Sequence, residues 1–207
     1  MIRKMMEFNK LKTLDIKSYL DVGTNNAQFF TEIIKIFPNI YTEFVEPNPH
    51  CNKKISKRYK HIIMHLVGLG EAEGCLTFYI NKFKSNSKGA SFIRDTNIEV
   101  NEITVDVKTL DSITQDKVFD FIKIDVEGFE LEVLKGGVNT LSKTRYLLVE
   151  MSPDSPVINW LENHNYTLID ILENHFYKKE LIKIDGLFER NSTSAKFDIL
   201  KIQNDNK

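Results

Sequence analysis

The sequence predicts an α/β fold in which helices cover both faces of a mostly parallel β-sheet. The chain has 207 residues, of which 42% are hydrophobic, so it has enough apolar surface for one sizeable core. From Tyr19 onward, short apolar runs alternate with longer helix-like stretches, as in parallel sheets with crossover helices. Three of these runs end in an acid. We therefore predict a single domain over residues 1–207, with a core over about 18–151 and closing strands over about 166–202.

The first part of the chain contains three predicted strands and two helical stretches. Residues 18–23 (SYLDVG) form an apolar run that ends in a glycine turn. Residues 27–37 (AQFFTEIIKIF) place apolar side chains at i, i+3 and i+4 before Pro38, which predicts an amphipathic helix. The second and third strands are predicted at residues 40–46 and 61–68, with a basic helix-like stretch around KKISKRYK between them.

The second part begins with a predicted β insertion and ends with two closing strands. CLTFYI, ASFI and ITVDV have the composition of β-ribbons, and the polar turn KSNSKG lies among them. Residues 119–125 (FDFIKID) are the fourth main strand, and the helix GFELEVLKGG stops at two glycines. YLLVEM is the fifth strand, and a helix through Trp160 precedes the closing strands YTLIDIL and FDILKI.

Composition and charge exclude several classes of protein. With 28 basic and 29 acidic residues, the net charge of −1 argues against a dedicated DNA-binding protein whose affinity depends on phosphate neutralisation. Two cysteines are too few for a disulfide framework and favour a reducing compartment. No apolar run approaches the ~18 residues of a membrane span, and the N-terminal segment lacks a signal-peptide pattern. We expect a cytoplasmic protein without a membrane or nucleic-acid partner; the sequence indicates no oligomeric state.

Acidic residues end several predicted strands at one edge of the sheet. Asp21, Glu46 and Asp125 occupy such positions, and Glu150 is a fourth; ligands of open α/β sheets bind at this edge. The first turn has one glycine where the dinucleotide motif GxGxxG has three. Glu46 follows Asp21 by 25 positions, close to the ~20-residue offset of acids that bind ribose hydroxyls. These features indicate a ribose-bearing cofactor without a pyrophosphate.

Five segments give the chain a family resemblance. DVGTNNAQF, FVEPNP, LVGLGEAEGCLTFYI, VKTLDSI and especially FIKIDVEGFELEVLKGG resemble the FkbM-type S-adenosylmethionine-dependent methyltransferases. The resemblance covers residues 19–151 and implies a Rossmann-like class I methyltransferase fold with a mostly parallel seven-stranded sheet and a small β insertion after the third strand. It implies S-adenosylmethionine as the cofactor. It also makes a hydroxyl of a sugar, glycan or small natural product the expected methyl acceptor.

The resemblance also implies roles for individual residues. The first loop would hold the methionine end of the cofactor, the end of the second strand its ribose, the end of the third strand its adenine, and the end of the fourth strand would lie beside the methyl group. The corresponding residues are Asp21, Gly23 and Asn25; Glu46; Val67 and Gly68; and Asp125. One departure is Ala27, which stands where the family usually has a second glycine. Its methyl group could crowd the start of the helix.

The predicted catalytic groups are Asp125 and Glu127. Alternate residues of a strand share a face, so Lys123, Asp125 and Glu127 would project together if the strand geometry continued. A buried lysine needs a charged partner, and its ammonium would keep at least one neighbouring carboxylate ionised. Asp125, or secondarily Glu127, could then accept the proton of the acceptor hydroxyl. A divalent cation bridging the two acids would do the same work, and the sequence does not separate these routes.

Two other functions are compatible with parts of the sequence. A catalytically silent cofactor-binding or scaffold protein is conceivable because of Ala27, and a nucleotide-dependent oxidoreductase is disfavoured by the missing glycines. The histidines show no paired ligand spacing, which predicts no metal cluster. The basic stretch around KKISKRYK could face a phosphate-bearing acceptor, but a solvated helix face has the same composition.

Overall fold

The computed structural model describes residues 2–3, 8, 10–83, 90–178 and 180–192. A single 3₁₀ turn at Leu11–Thr13 precedes the main elements. The strands are β1 Ile2–Arg3, β2 Ser18–Val22, β3 Tyr41–Val45, β4 Ile63–His65, β5 Gly68–Leu69, β6 Gly74–Asn81, β7 Val100–Lys108, β8 Phe121–Ile124, β9 Tyr146–Met151, β10 Tyr166–Tyr177 and β11 Glu180–Arg190. The helices are α1 Gln28–Ile36, α2 Pro49–Arg58, α3 Leu110–Thr114, α4 Glu130–Lys135, α5 Val138–Leu141 and α6 Pro156–Asn163.

The main sheet confirms the predicted α/β class. Its strand order is β1-β10-β11-β9-β8-β2-β3-β4, and the neighbours from β9 to β4 pair in parallel. β11 pairs antiparallel with both β9 and β10, and β1 pairs antiparallel with β10. Six of the eight described strands therefore run in one direction, and β1 and β11 run in the other. Two of these eight strands were not predicted from the sequence: β11, and the two-residue β1, which pairs with the C-terminal end of β10.

The predicted β insertion is a separate three-stranded sheet with the order β5-β7-β6. The segment ASFI forms no named strand and contributes one bridge, between Ser91 and Tyr79. The third predicted strand, residues 61–68, is divided between the two sheets. Its first part is β4, and Gly68 then leaves the main sheet to pair with Val107 of β7. The insertion therefore begins where the third main strand ends.

The closing strands differ most from the prediction. YTLIDIL lies in β10 as predicted, but β10 pairs with β11, a strand the sequence analysis missed. The other predicted strand, FDILKI at residues 197–202, lies outside the described residues. We attribute the missed strand to its interior Gly186 and its charged side chains, which weaken the strand pattern. Among its residues, Ile184 and Leu187 are fully buried, because β11 lies between β9 and β10.

Helices cover both faces of the main sheet, and the alternation of side chains in β8 shows which face is which. Phe121 packs in the cluster that contains Phe30 and Ile33 of α1, whereas Ile122 packs in the cluster that contains Leu134 of α4. All four residues of β8 are buried. Because side chains alternate along a strand, Lys123 projects to the α1 face, where it needs charged partners.

Candidate active site

A cavity of about 870 Å³ lies at the carboxyl ends of β2, β3, β8 and β9. Its walls also include part of the insertion, Glu173 and His175 of β10, and Asp185 of β11. Among the predicted site residues, those lining it are Gly23, Asn25, Glu46, Val67, Gly68, Asp125 and Glu127. Asp21 does not line the cavity, because its side chain is buried beneath it.

Gly23 brings the loop after β2 against the loop after β8. Its φ of +76° lies in the left-handed region, which favours glycine. A Cβ atom at this position would lie 1.8 Å from the backbone oxygen of Asp125. The Gly23 N–H donates to the carbonyl of Val45 at 2.9 Å. This single glycine therefore fixes how closely three parallel strands meet at the cavity.

Ala27 also has a left-handed backbone, with φ 56° and ψ 33°, and its methyl group is fully buried before α1. It precedes the helix, so helix propensity does not determine the effect of replacing it. Ala27→Gly would relieve left-handed strain of ~1–2 kcal/mol, while losing about 0.8 kcal/mol of methyl burial and some backbone entropy.

We expect Ala27→Gly to change the free energy of unfolding by less than about 1 kcal/mol and to leave S-adenosylmethionine affinity equal or higher. Denaturant unfolding and calorimetry measure the two quantities. The matched variant Ala27→Val should lose more than about 2 kcal/mol, because a β-branched side chain tolerates this backbone poorly. A sharp loss of cofactor binding in folded Ala27→Gly would contradict the expectation.

Glu46 closes the end of β3 with a carboxylate that is 5% exposed. Its two oxygens accept hydrogen bonds from the backbone N–H groups of Asn25 and Asn48, each at 2.8 Å. Burial raises the pKa of Glu46 to about 7, although these two N–H groups lower it. A carboxylate has about four acceptor positions, so Glu46 retains acceptor capacity toward the cavity that it lines.

Lys123 lies between the carboxylates of Asp125 and Asp21, whereas the sequence predicted Asp125 and Glu127 as its neighbours. Its Nζ is 3.1 Å from Oδ2 of Asp125 and 3.6 Å from Oδ1 of Asp21. Burial alone would lower the pKa of Lys123, yet Asp125 and Asp21 raise it above its usual value. Burial raises the pKa of Asp21, against the effect of Lys123. The second partner is thus Asp21 of the neighbouring strand rather than Glu127.

Glu127 does not continue the strand, because β8 ends at Ile124. Glu127 has a φ of 57° and Gly128 a φ of 102°, so the chain turns before the third expected side chain. The carboxylate of Glu127 accepts from Nζ of Lys183 at 2.9 Å, and its carbonyl accepts from Oγ of Ser91 at 2.8 Å. The shared-face prediction was wrong for Glu127, although its side chain still lines the cavity.

Three acids lie side by side on adjacent strands of the cavity wall. Asp185 of β11 is the register partner of both Glu150 of β9 and Glu173 of β10. Nε2 of His175 lies 3.4 Å from Oδ2 of Asp185 and 4.0 Å from Oε1 of Glu150. A hydrogen bond to Asp185 raises the pKa of His175, and burial raises the pKa of Glu150 to about 7. The sequence predicts Glu150 at this edge of the sheet but not Glu173, His175 and Asp185, because β11 brings these residues together.

Two sets of described side chains could hold a metal ion. The ligand atoms of Asp125, Glu127 and Glu150 lie within 4.8 Å of one another. The ligand atoms of Glu150, His175 and Asp185 also lie within 4.8 Å of one another. Sequence spacing could not reveal the second set, because its ligands come from three different strands.

An apolar wall faces the acids where the insertion joins the main sheet. Val67, Gly68, Phe78 and Phe92 line this side of the cavity. A Cβ atom at Gly68 would lie 2.2 Å from the ring of Phe92. The ring centroids of Phe78 and Phe92 are 5.1 Å apart. Such a surface suits a flat aromatic group such as a nucleobase.

The fold is similar to that of methyltransferases with solved structures. One such structure is that of Sp1610 from Streptococcus pneumoniae, described as a candidate tRNA (m1A22) methyltransferase. Its sequence identity to this chain is 13% and the TM-score is 0.53, and the match covers 97% of this chain and 76% of that one. The TrmK structure from M. capricolum, in complex with S-adenosyl-homocysteine, has 15% identity and a TM-score of 0.51 over 97% and 75% of the two chains. The ribosomal protein L11 methylase from Lactobacillus delbrueckii subsp. bulgaricus has 10% sequence identity and a TM-score of 0.51, and the match covers 87% of this chain and 73% of that one.

A family model, the methyltransferase FkbM domain, matches residues 21–168. The chain belongs to this family and is an S-adenosylmethionine-dependent methyltransferase, which confirms the family, the enzyme class and the cofactor expected from the sequence. No curated protein matches the chain. Within the part of the chain that the structure describes, no helix is long and apolar enough to cross a membrane.

Proposed function

We propose that this methyltransferase methylates a hydroxyl group of a sugar, glycan or small natural product, with Asp125 as the proton acceptor. The observation that carries the proposal is the position of Asp125. Its carboxylate is 32% exposed in the cavity wall, and Lys123 holds it at 3.1 Å. A carboxylate that is both fixed and accessible is suited to general base catalysis.

The cavity offers complementary groups for each part of the cofactor. Glu46 is suited to accept hydrogen bonds from ribose hydroxyls, and the wall of Val67, Gly68 and Phe92 is suited to adenine. The first-turn N–H groups of α1 lack partners within the helix, and this turn lines the cavity at Gln28. A helix N-terminus of this kind favours a carboxylate, as in the methionine end.

S-adenosylmethionine supplies an electrophilic methyl group on a sulfonium. Asp125 accepts the proton of the attacking hydroxyl through its carboxylate, which removes the need for a free alkoxide. Lys123 orients that carboxylate, and Asp21 beneath it balances the lysine charge. Glu127 is the second candidate base, because its carboxylate is 31% exposed in the same wall.

The charge of the cavity wall supports an acceptor without phosphate groups. Its acidic lining residues are Glu32, Glu46, Asp125, Glu127, Glu150, Glu173 and Asp185, and its lysine and arginine residues are Arg58 and Lys123. An excess of carboxylates repels polyanions and accepts hydrogen bonds from hydroxyls. An amine that binds in its cationic form and loses a proton before methyl transfer is the alternative acceptor that this charge also favours.

Incubation with methyl-labelled S-adenosylmethionine tests the proposal. Separate glycan, small-metabolite and total RNA fractions are the acceptors, and mass spectrometry locates the label. Label on an oxygen in a glycan or metabolite supports the proposal. Label on nitrogen or in RNA overturns it, and so does cofactor binding without a labelled product in the glycan and metabolite fractions.

Metal removal gives a separate prediction. Each of the carboxylates of Asp125, Glu127 and Glu150 already contacts the ammonium group of Lys123 or Lys183, so none of the three depends on a metal ion for a cationic partner. We expect a chelator to change turnover by less than about twofold, whereas a metal-bridged mechanism would lose most of its activity. Recovery of lost activity on addition of Mg²⁺ or Mn²⁺ would contradict the expectation.

A further inference from the structure

Lys183 contacts two carboxylates of the cavity wall without lining the cavity itself. Its Nζ lies 2.9 Å from Oε2 of Glu127 and 2.6 Å from Oε2 of Glu150. Both acids line the cavity, and Lys183 is not among its lining residues. The lysine can therefore influence the cavity through these two side chains.

The loop that carries Asp125 and Glu127 is conformationally demanding. Glu127 has a left-handed backbone, which is costly for a residue other than glycine and persists where surrounding contacts impose it. Two such contacts are the hydrogen bond from Ser91 to its carbonyl and the ion pair with Lys183. The first comes from the β insertion and the second from β11.

Charge gives Lys183 a second effect. Carboxylate oxygens of Asp125, Glu127 and Glu150 lie within 4.8 Å of one another, where like charges disfavour joint ionisation. Lys123 contacts Asp125, and Lys183 contacts the other two acids. Two ammonium groups thus form ion pairs with these three carboxylates.

We propose that Lys183 is a positioning residue for methyl transfer, which holds Glu127 and Glu150 in place and thereby fixes the loop that carries Asp125. The proposal rests on the proposed function of Asp125. Lys183 lies beyond residues 21–168, the range of the family match, so β11 supplies the cavity with a contact from outside that range.

The first test is kinetic. In the fraction that the wild type methylates, Lys183→Met should lower kcat by about 10- to 100-fold, since a small misplacement at a reaction centre has effects of this size. KM for S-adenosylmethionine should change less than about twofold, because the cofactor contacts lie on other strands. Lys183→Arg keeps the charge and should recover most of kcat. Lys108→Met is the matched control, because it removes an exposed 2.8 Å ion pair with Glu73 away from the cavity.

The second test needs no acceptor. NMR titration of ¹³C-labelled glutamate carboxyls follows Glu150, whose pKa is about 7; Glu150→Gln assigns its signal and separates it from Glu46, whose pKa is also about 7. Lys183→Met should raise this pKa by about one unit or more, and Lys183→Arg should leave it near the wild-type value. The charged groups around Glu150 are Lys183 and Asp185 of β11, His175 of β10, and Asp125 and Glu127 of the loop after β8.

The two tests separate the two proposals. Unchanged kcat in folded Lys183→Met, or no recovery with Lys183→Arg, overturns the positioning role. If the wild type methylates no fraction, the proposed function fails. An unchanged Glu150 titration in Lys183→Met then also overturns the role of Lys183, and a raised pKa supports it. Thermal unfolding checks each variant, and Lys183→Gln replaces Lys183→Met if the latter does not fold.

Discussion

Replacement of Asp125 by asparagine is expected to lower turnover by about 10²- to 10⁴-fold. Asparagine keeps the shape of the side chain but has no carboxylate to accept the proton of the acceptor hydroxyl. Cofactor affinity should change much less, because Glu46 and the first loop are on other strands. Single-turnover kinetics with the acceptor identified by labelling, together with calorimetry of S-adenosylmethionine binding, measure the two effects separately.

Two further variants sharpen the Asp125 experiment. Asp154→Asn removes an exposed acid outside the cavity and should retain wild-type turnover. Glu127→Gln should lose less turnover than Asp125→Asn, since Glu127 is the second candidate base. Near-normal turnover in folded Asp125→Asn would assign proton removal to Glu127 or to solvent and would refute our catalytic assignment.

Replacement of Glu46 by alanine is expected to weaken S-adenosylmethionine binding by about 10- to 150-fold. This range corresponds to about 1.5–3 kcal/mol, the usual contribution of hydrogen bonds to a charged acceptor. The variant also loses the side chain that the N–H groups of Asn25 and Asn48 contact. Unchanged affinity in the folded variant would remove Glu46 from the cofactor site.

The raised pKa of Glu46 predicts a pH dependence of cofactor binding. With a pKa of about 7, about a tenth of the carboxyls are ionised at pH 6 and about nine tenths at pH 8. If the ionised form binds ribose, the dissociation constant at pH 6 should be about tenfold higher than at pH 8. Glu46→Gln should bind weakly and without this dependence, which distinguishes Glu46 from Glu150, whose pKa is also about 7.

The sequence by itself determined which main strands and helices form and their order along the chain. Apolar periodicity is a local property, so β2, α1, β3, β8 and β9 could each be located from their own residues. The acids that end these strands could be assigned to one edge, because parallel strands share a carboxyl edge. For this reason most of the predicted site residues line one cavity.

Tertiary structure alone decided how the charges pair. Lys123 contacts Asp21 because parallel pairing of β2 and β8 sets these two residues opposite each other, and no local pattern contains that register. Glu127 contacts Lys183 across 56 positions of the sequence. A left-handed turn after β8 and a charged strand without a clear apolar pattern created this contact. Pairing with residues distant in the sequence reduces the free-energy cost of burying such charges. The positions of these charged side chains can therefore be determined only once the neighbouring strands are assembled.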